Sequence, residues 1–184
     1  MNELKVLSYD LRKHVVDMII AGKGGHIGGD MSVMEILVEL YMKQMNISPE
    51  NKDLDNRDRF VLSKGHSVES YYAVLAKKGF FPMEEVISTF SQFGSKFIGH
   101  PNNKLPGIEM NSGSLGHGLP VCVGMAMAGK MDRKDYRVYV VMGDGELAEG
   151  SVWEGAMAAS HYCLDNLCAV VDRNRLQISG CTED

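Results

Sequence analysis

The chain has 184 residues, enough for one sizeable hydrophobic core and too few for two domains of typical size. Its composition, 45% hydrophobic and 23% charged, is that of an ordinary globular protein. A net charge of -5 without a Lys/Arg cluster gives no footprint for nucleic acid or an anionic membrane, so small molecules and other protein chains remain as partners.

Leu4, Leu7, Leu11, Val15 and Met18 mark one face of an opening amphipathic helix. This N-terminal stretch is charged and lacks the apolar core of a signal peptide, and no apolar stretch is long enough to span a bilayer. The four cysteines show no C-x-x-C pair or metal-ligand spacing. Cys122, Cys163 and Cys168 lie in apolar runs and are expected to be small buried hydrophobes, with Cys181 apart. A cytoplasmic location follows as an expectation.

The glycine-rich stretch from Gly22 to Gly29 is expected to interrupt the helix. Ser32, with Glu35 three positions on, reads as a capping box opening a second helix with Val33, Ile36, Leu37, Leu40 and Tyr41 on its apolar face. A polar surface connection spans 46–59. Arg59 to Ser63 is a short buried strand that breaks at Lys64-Gly65-His66. A helix from about Ser67 to Lys78 stops at Gly79, and another starts with Pro82 and ends before Gly94. Phe97 to Gly113 is irregular. The Gly113–Gly118 turn then opens a helix from Leu119 to Met131 that is apolar all round, as in a core or an interface.

The most informative segment is a β-α-β unit. Val138 to Met142 is an apolar strand that breaks at Gly143-Asp144-Gly145, Glu149 to Tyr162 is a helix with Val152, Ala156, Ala159 and Cys163 on one face, and Leu167 to Asp172 is a second strand. Parallel strands joined by one crossover end at the same sheet edge, where open α/β sheets bind ligands, so Asp144 and Asn174 are expected to face each other. A carboxylate there would repel a phosphate unless a divalent cation lay between them. Magnesium prefers oxygen ligands; Asp144, the Asn174 amide oxygen and the Leu176 carbonyl could hold it, leaving the remaining positions to a diphosphate. The same letters also satisfy G-x-G-x-x-A, with Asp172 as a ribose-binding acid, but Asp144 opposes a metal-free pyrophosphate. A plain β-α-β unit whose Asp and Asn merely cap turns is the third reading.

Four of the six histidines directly follow a glycine, His26, His66, His100 and His117, where 20 glycines in 184 positions predict fewer than one. Glycine lets backbone approach a ligand while imidazole points into the same space. His14 and His161 fall within expected helices and read as structural.

GDGELAEG with the closing Asn174 resembles the thiamine-diphosphate motif, and SVWEGAMAASHYCLDNLCAVVDRNRLQISG, GHIGG, LSKGH, IGHP and NSGSLGHG extend a resemblance to transketolases over nearly the whole chain. It implies an α/β fold, a parallel sheet with helices on both faces forming the diphosphate-binding domain, with thiamine diphosphate and Mg2+ as cofactors. His26, His66 and His100 match histidines that line the channel to the thiazolium ring, bind sugar hydroxyls and shuttle protons. His66, Gly113, Leu115, Gly143, Asp144, Gly145, Glu149 and Asn174 match cofactor-binding positions, and Asp144, Asn174 and Leu176 the metal ligands. Glu149 and Glu154 match acids near the family's subunit interface, although acids in the first turns of a helix are favourable without a function. His117 stands where the family commonly has Gln, and Arg175 where it has a small or uncharged residue.

The implied reaction moves a two-carbon ketol unit from a ketose phosphate to an aldose phosphate. The family's activating Glu belongs to a pyrimidine-binding domain absent here, and the family's diphosphate-binding domain continues past the position of Asp184. The chain is therefore expected to be an N-terminal section, completed by a C-terminal subunit with the pyrimidine-binding domain in a dimer or heterotetramer. Two alternatives stay open: another thiamine-diphosphate enzyme, such as a deoxyxylulose-phosphate synthase or a 2-oxo acid dehydrogenase component, and a truncated non-catalytic binding module.

Overall fold

A computed structural model of the chain describes residues 3–178 and 180–183. In chain order the helices and strands are α1 (Glu3–Gly22), α2 (Ile27–Glu39), β1 (Arg59–Leu62), α3 (Val68–Lys78), α4 (Met83–Thr89), α5 (Gly118–Met131), β2 (Val138–Gly143), α6 (Gly150–His161), β3 (Leu167–Asp172), β4 (Leu176–Gln177) and β5 (Gly180–Cys181). The chain forms two compact units interleaved in sequence, Met1–Lys52 with His66–Asn111, and Asp53–Gly65 with Ser112–Asp184. No helix of the described residues is long and apolar enough to cross a membrane.

The first unit packs α1 to α4 around α3, whose residues from Val68 to Leu75 are all buried. α1 contributes Leu11, Val15 and Met18, the expected stripe. α2 starts five residues earlier than the capping box at Ser32 predicts. The Ser32 hydroxyl donates to the Gly29 carbonyl at 3.1 Å, and Glu35 is taken by the Arg12 guanidinium of α1, so a contact between helices overrides the local cap. α3 ends as expected at Gly79, whose φ of 99° is the left-handed cap. α4 ends at Thr89, before Gly94 as expected, because Phe90 turns extended and Ser91 takes a φ of 55°. Tyr72 anchors the irregular segment beyond it, donating to the Ile98 and His100 carbonyls at 3.1 Å each and packing edge-on against Phe81, Phe90 and Phe97.

The second unit is a parallel three-stranded sheet in the order β1-β2-β3, with α5 packed on it and α6 on α5. β2 is central and buried from Val138 to Met142, as its β-branched run requires. At the amino edge Asp58 accepts the Arg137 N–H at 2.8 Å and sets the register of Arg59 opposite Val138. Two expectations need correction. Of the cysteines only Cys122 is buried; Cys163 lies in the turn after α6 at a φ of 51°, and Cys168 lies on β3, a strand with one partner among the described residues and hence half-open to water. The buried face of α6 is Val152 and Gly155 rather than Ala156 and Cys163, leaving Trp153 and Met157 outside. α5, apolar all round, buries Leu119, Cys122, Val123 and Ala126 and carries Val121, Gly124, Ala128 and Met131 on its outer face, as the expectation of a core or an interface allows.

Candidate functional site

The carboxyl edge of the second unit is built by register. β2 and β3 end opposite each other at Gly143 and Asp172, and Asp144 continues the ladder by donating its N–H to the Asp172 carbonyl at 3.3 Å. That places Asp144 beside the turn after β3: its Oδ2 accepts the Arg175 N–H at 2.8 Å and the Thr182 hydroxyl at 2.7 Å. Partial burial raises the Asp144 carboxyl, but these hydrogen bonds outweigh it and hold the group below the usual carboxylate range. Asn174, adjacent to Arg175, accepts the Leu176 N–H on its Oδ1 at 3.0 Å, which turns its amide oxygen to the same turn. Arg175 supplies backbone to Asp144 while its guanidinium faces Glu183. Gly145 comes so close to the β4-β5 hairpin that a Cβ there would lie 2.8 Å from Gln177 Cβ.

Sequence reasoning passed over the residue that ties this edge together. Glu146, in the short turn Gly145–Ala148, is 2% exposed. Its carboxylate accepts the Ser63 hydroxyl, the Gly116 N–H at 2.9 Å and the Gly143 N–H at 3.1 Å. Ser63 in turn accepts the Gly118 N–H at 3.1 Å. One carboxylate thus joins the end of β1, the Gly113–Gly118 turn and the end of β2. Within that turn Gly113 and Gly116 have φ of 144° and 81°, His117 Nδ1 lies 3.0 Å from the Leu115 carbonyl, and a Cβ on Gly116 would meet Ser151 Oγ at 2.6 Å. Glu149 is the N-cap residue of α6 without a side-chain cap bond, and Glu154 is exposed on that helix.

A second unforeseen contact decides against a ribose role for Asp172. Its Oδ2 receives Lys64 Nζ at 2.6 Å, and the two side chains are 6% and 1% exposed. An acid consumed by a buried ion pair is not offered to a ligand. The available signal was a lysine just past a buried strand and an aspartate ending another.

The predicted histidines meet in the first unit. His26 precedes α2, His66 lies in the turn Gly65–Ser67, and His100 follows the Tyr72-anchored segment. The His26 ring stands 5.6 Å from His66 and 6.1 Å from His100, both edge-on. Partial burial, with the His26 charge adding to it, lowers the His100 pKa below the ordinary histidine value and favours neutral imidazole.

The family description "Transketolase, thiamine diphosphate binding domain" matches residues 5–184. The chain belongs to the transketolase family. An apulose-4-phosphate transketolase subunit of Phocaeicola vulgatus is 54% identical over 181 residues, covering 98% of this chain and 64% of its own length. The 6-deoxy-6-sulfo-D-fructose transketolase subunit of a Clostridium species is 44% identical, with 87% of this chain and 58% of its own covered. Among solved structures, a transketolase from Campylobacter jejuni superposes over 98% of this chain and 30% of its own with a TM-score of 0.92 at 32% identity. The chain thus spans just under two thirds of the length of the first two relatives it matches. As a transketolase diphosphate-binding domain, its α/β fold and parallel sheet are those expected.

Proposed function

We propose that this chain binds thiamine diphosphate with Mg2+ and, completed by a subunit carrying a pyrimidine-binding domain, transfers a two-carbon ketol unit from a ketose phosphate to an aldose phosphate in the cytoplasm. The observation that carries the reading is the meeting of Asp144 and Asn174 at one sheet edge, a carboxylate and an amide oxygen beside a glycine turn. Both are hard oxygen donors of the kind magnesium takes, and the lowered pKa of Asp144 keeps it ionised. With the Leu176 carbonyl they would hold the metal, while the Gly143–Gly145 turn admits the diphosphate. Bound thiamine diphosphate supplies an electron sink for breaking and forming a carbon-carbon bond.

The chain's own part is orientation and proton handling. Gly113 and Leu115 present backbone to the cofactor, with Glu149 near them at the start of α6. His66 and His100 accept and donate hydrogen bonds to the sugar's hydroxyls, and a neutral His100 can do both. His26 assists proton transfer at the reacting carbon. The relatives named as transketolase subunits support a partner chain in a dimer or heterotetramer, and their named substrates support sugar phosphates and related acidic sugars as the class.

Isothermal titration of the chain with thiamine diphosphate, with and without Mg2+ and with a candidate partner chain, tests the reading. Magnesium-dependent binding that Asp144→Ala abolishes is expected. Binding indifferent to Mg2+ and to that substitution would overturn it.

A further inference from the structure

Behind the Gly25-His26 turn lie two carboxyl groups that the reading above leaves without a task. Asp30 sits in the first turn of α2 and Glu69 in the first turn of α3, and both have an exposure of 0%. The two helix starts are stitched together: Asp30 Oδ1 accepts the Ser70 N–H, and the Asp30 carbonyl accepts the Ser70 hydroxyl, each at 2.9 Å. This brings Glu69, the neighbour of Ser70, against Asp30. Asp30 Oδ2 and both Glu69 oxygens nevertheless make no well-formed hydrogen bond among the described residues, the backbone N–H groups of Glu69 and His26 only approaching the Glu69 carboxyl. The turn presses on the pair, since a Cβ at Gly25 would fall 2.4 Å from Glu69 Oε1 and 2.6 Å from Ile19 Cγ1 of α1.

Two carboxylates in one dry space cannot both keep a charge, whereas a proton between them converts repulsion into a hydrogen bond that satisfies an orphan oxygen on each side. We propose that Asp30 and Glu69 hold one proton between them and act as the positioning pair for His26, fixing the Gly25-His26 turn from behind. Only the consequence for catalysis rests on the reading of His26 as a site residue; the pair itself does not.

Electrostatics agree with the geometry. Burial pushes Asp30 up to about 8, with the Glu69 charge adding to it, and burial raises Glu69 as well, against the pull of nearby backbone N–H groups and of His26. The titratable groups facing the pair are His26 on the turn, the Tyr72 phenol on α3, which feels the Glu69 charge, and, beyond the turn, His66 and His100; α3 adds the Ser70 hydroxyl and α1 the apolar Ile19. An acid whose pKa is raised on folding keeps a proton that the unfolded chain gives up. The stability it contributes is full below about pH 4 and is lost as pH rises towards 8, so unfolding in that window releases one proton and the unfolding constant rises about tenfold per pH unit. Above that window the second charge appears and drives the turn away from the pair.

The test uses the full chain without cofactor, so its outcome is independent of the cofactor titration. Asp30→Asn keeps the acceptor for Ser70 and offers Glu69 a permanent donor, imitating the protonated acid. Denaturant unfolding between pH 5 and 8 is expected to release about one proton more from the wild-type chain than from Asp30→Asn. The His26 ring signals in NMR spectra are expected to show a step near pH 8 in the wild type that Asp30→Asn lacks. Glu69→Gln, the second variant, removes the extra proton release in the same way. The wild type alone also decides, because a buried carboxylic acid gives a C=O stretch in the infrared spectrum at pH 7 that disappears by pH 9. Equal proton release in wild type and both variants, or no carboxylic acid band at pH 7, overturns the proposal.

Discussion

Replacing Glu146 by Gln probes how far a single carboxylate organises the carboxyl edge of the second unit. Its oxygens serve three donors, Ser63 Oγ, Gly116 N–H and Gly143 N–H, in a place only 2% exposed. Gln keeps the shape and one acceptor, but its NH2 group faces a backbone N–H that then has no partner. An orphaned buried donor costs about 1–3 kcal/mol. The two bonds that survive lose their charge assistance, roughly 1 kcal/mol each. The expected loss is therefore about 3–5 kcal/mol in denaturant unfolding with an unchanged m-value, or a fall of roughly 10 °C in Tm for a chain of this size. Hydrogen exchange locates the effect: the Gly116 and Gly143 amides are expected to exchange faster in Glu146→Gln. Thiamine diphosphate binding is expected to weaken with them, because the Gly113–Gly118 and Gly143–Gly145 turns lose their common anchor. A loss below about 1 kcal/mol with unchanged exchange at both glycines would refute the reasoning.

Lys64→Met leaves Asp172 buried without its cation and is expected to cost about 3–5 kcal/mol, most of which Lys64→Met with Asp172→Leu regains in the same unfolding assay. Asp144→Ala, at a half-buried position, is expected to cost less than about 1.5 kcal/mol while abolishing magnesium-dependent cofactor binding, read by calorimetry. His100, lowered from the ordinary 6.5 by burial and then by His26, contributes stability that is present above about pH 6.5 and lost as pH falls below it. NMR titration of its ring is expected to show an upward shift in His26→Ala, which removes the charge and leaves the burial.

Strands and most helices were legible because their patterns are dense: β1, β2 and β3 fall on the apolar runs, and α1 and α3 on their stripes. The convergence of Asp144 with Asn174 was legible too, since parallel register follows from the β-α-β order. The start of α2 was not. Ser32 and Glu35 carry a cap signature, yet Arg12, 23 positions before Glu35, takes the carboxylate, and a pairing between helices leaves no local trace. Glu146 stayed hidden for a related reason, because its donors Ser63 and Gly116 lie 83 and 30 positions away. The meeting of three histidines could be suspected from their glycines, but the carboxyl pair behind them could not: Asp30 and Glu69 each read as an ordinary acid in a helix's first turn.

The interleaving of the two units has a consequence for synthesis. β1 is made long before β2, its partner in the sheet, and the contact that sets their register joins residues 79 positions apart, Asp58 and Arg137. At about 5–20 residues per second a nascent β1 waits roughly 4–16 s for that partner. During that interval the whole of His66–Asn111 emerges and can complete the first unit, while Phe60, Val61 and Leu62 have no sheet to enter. The ribosome thus delivers a finished helical body and, on the same chain, a strand still without its sheet, and that strand is where a chaperone has most to hold.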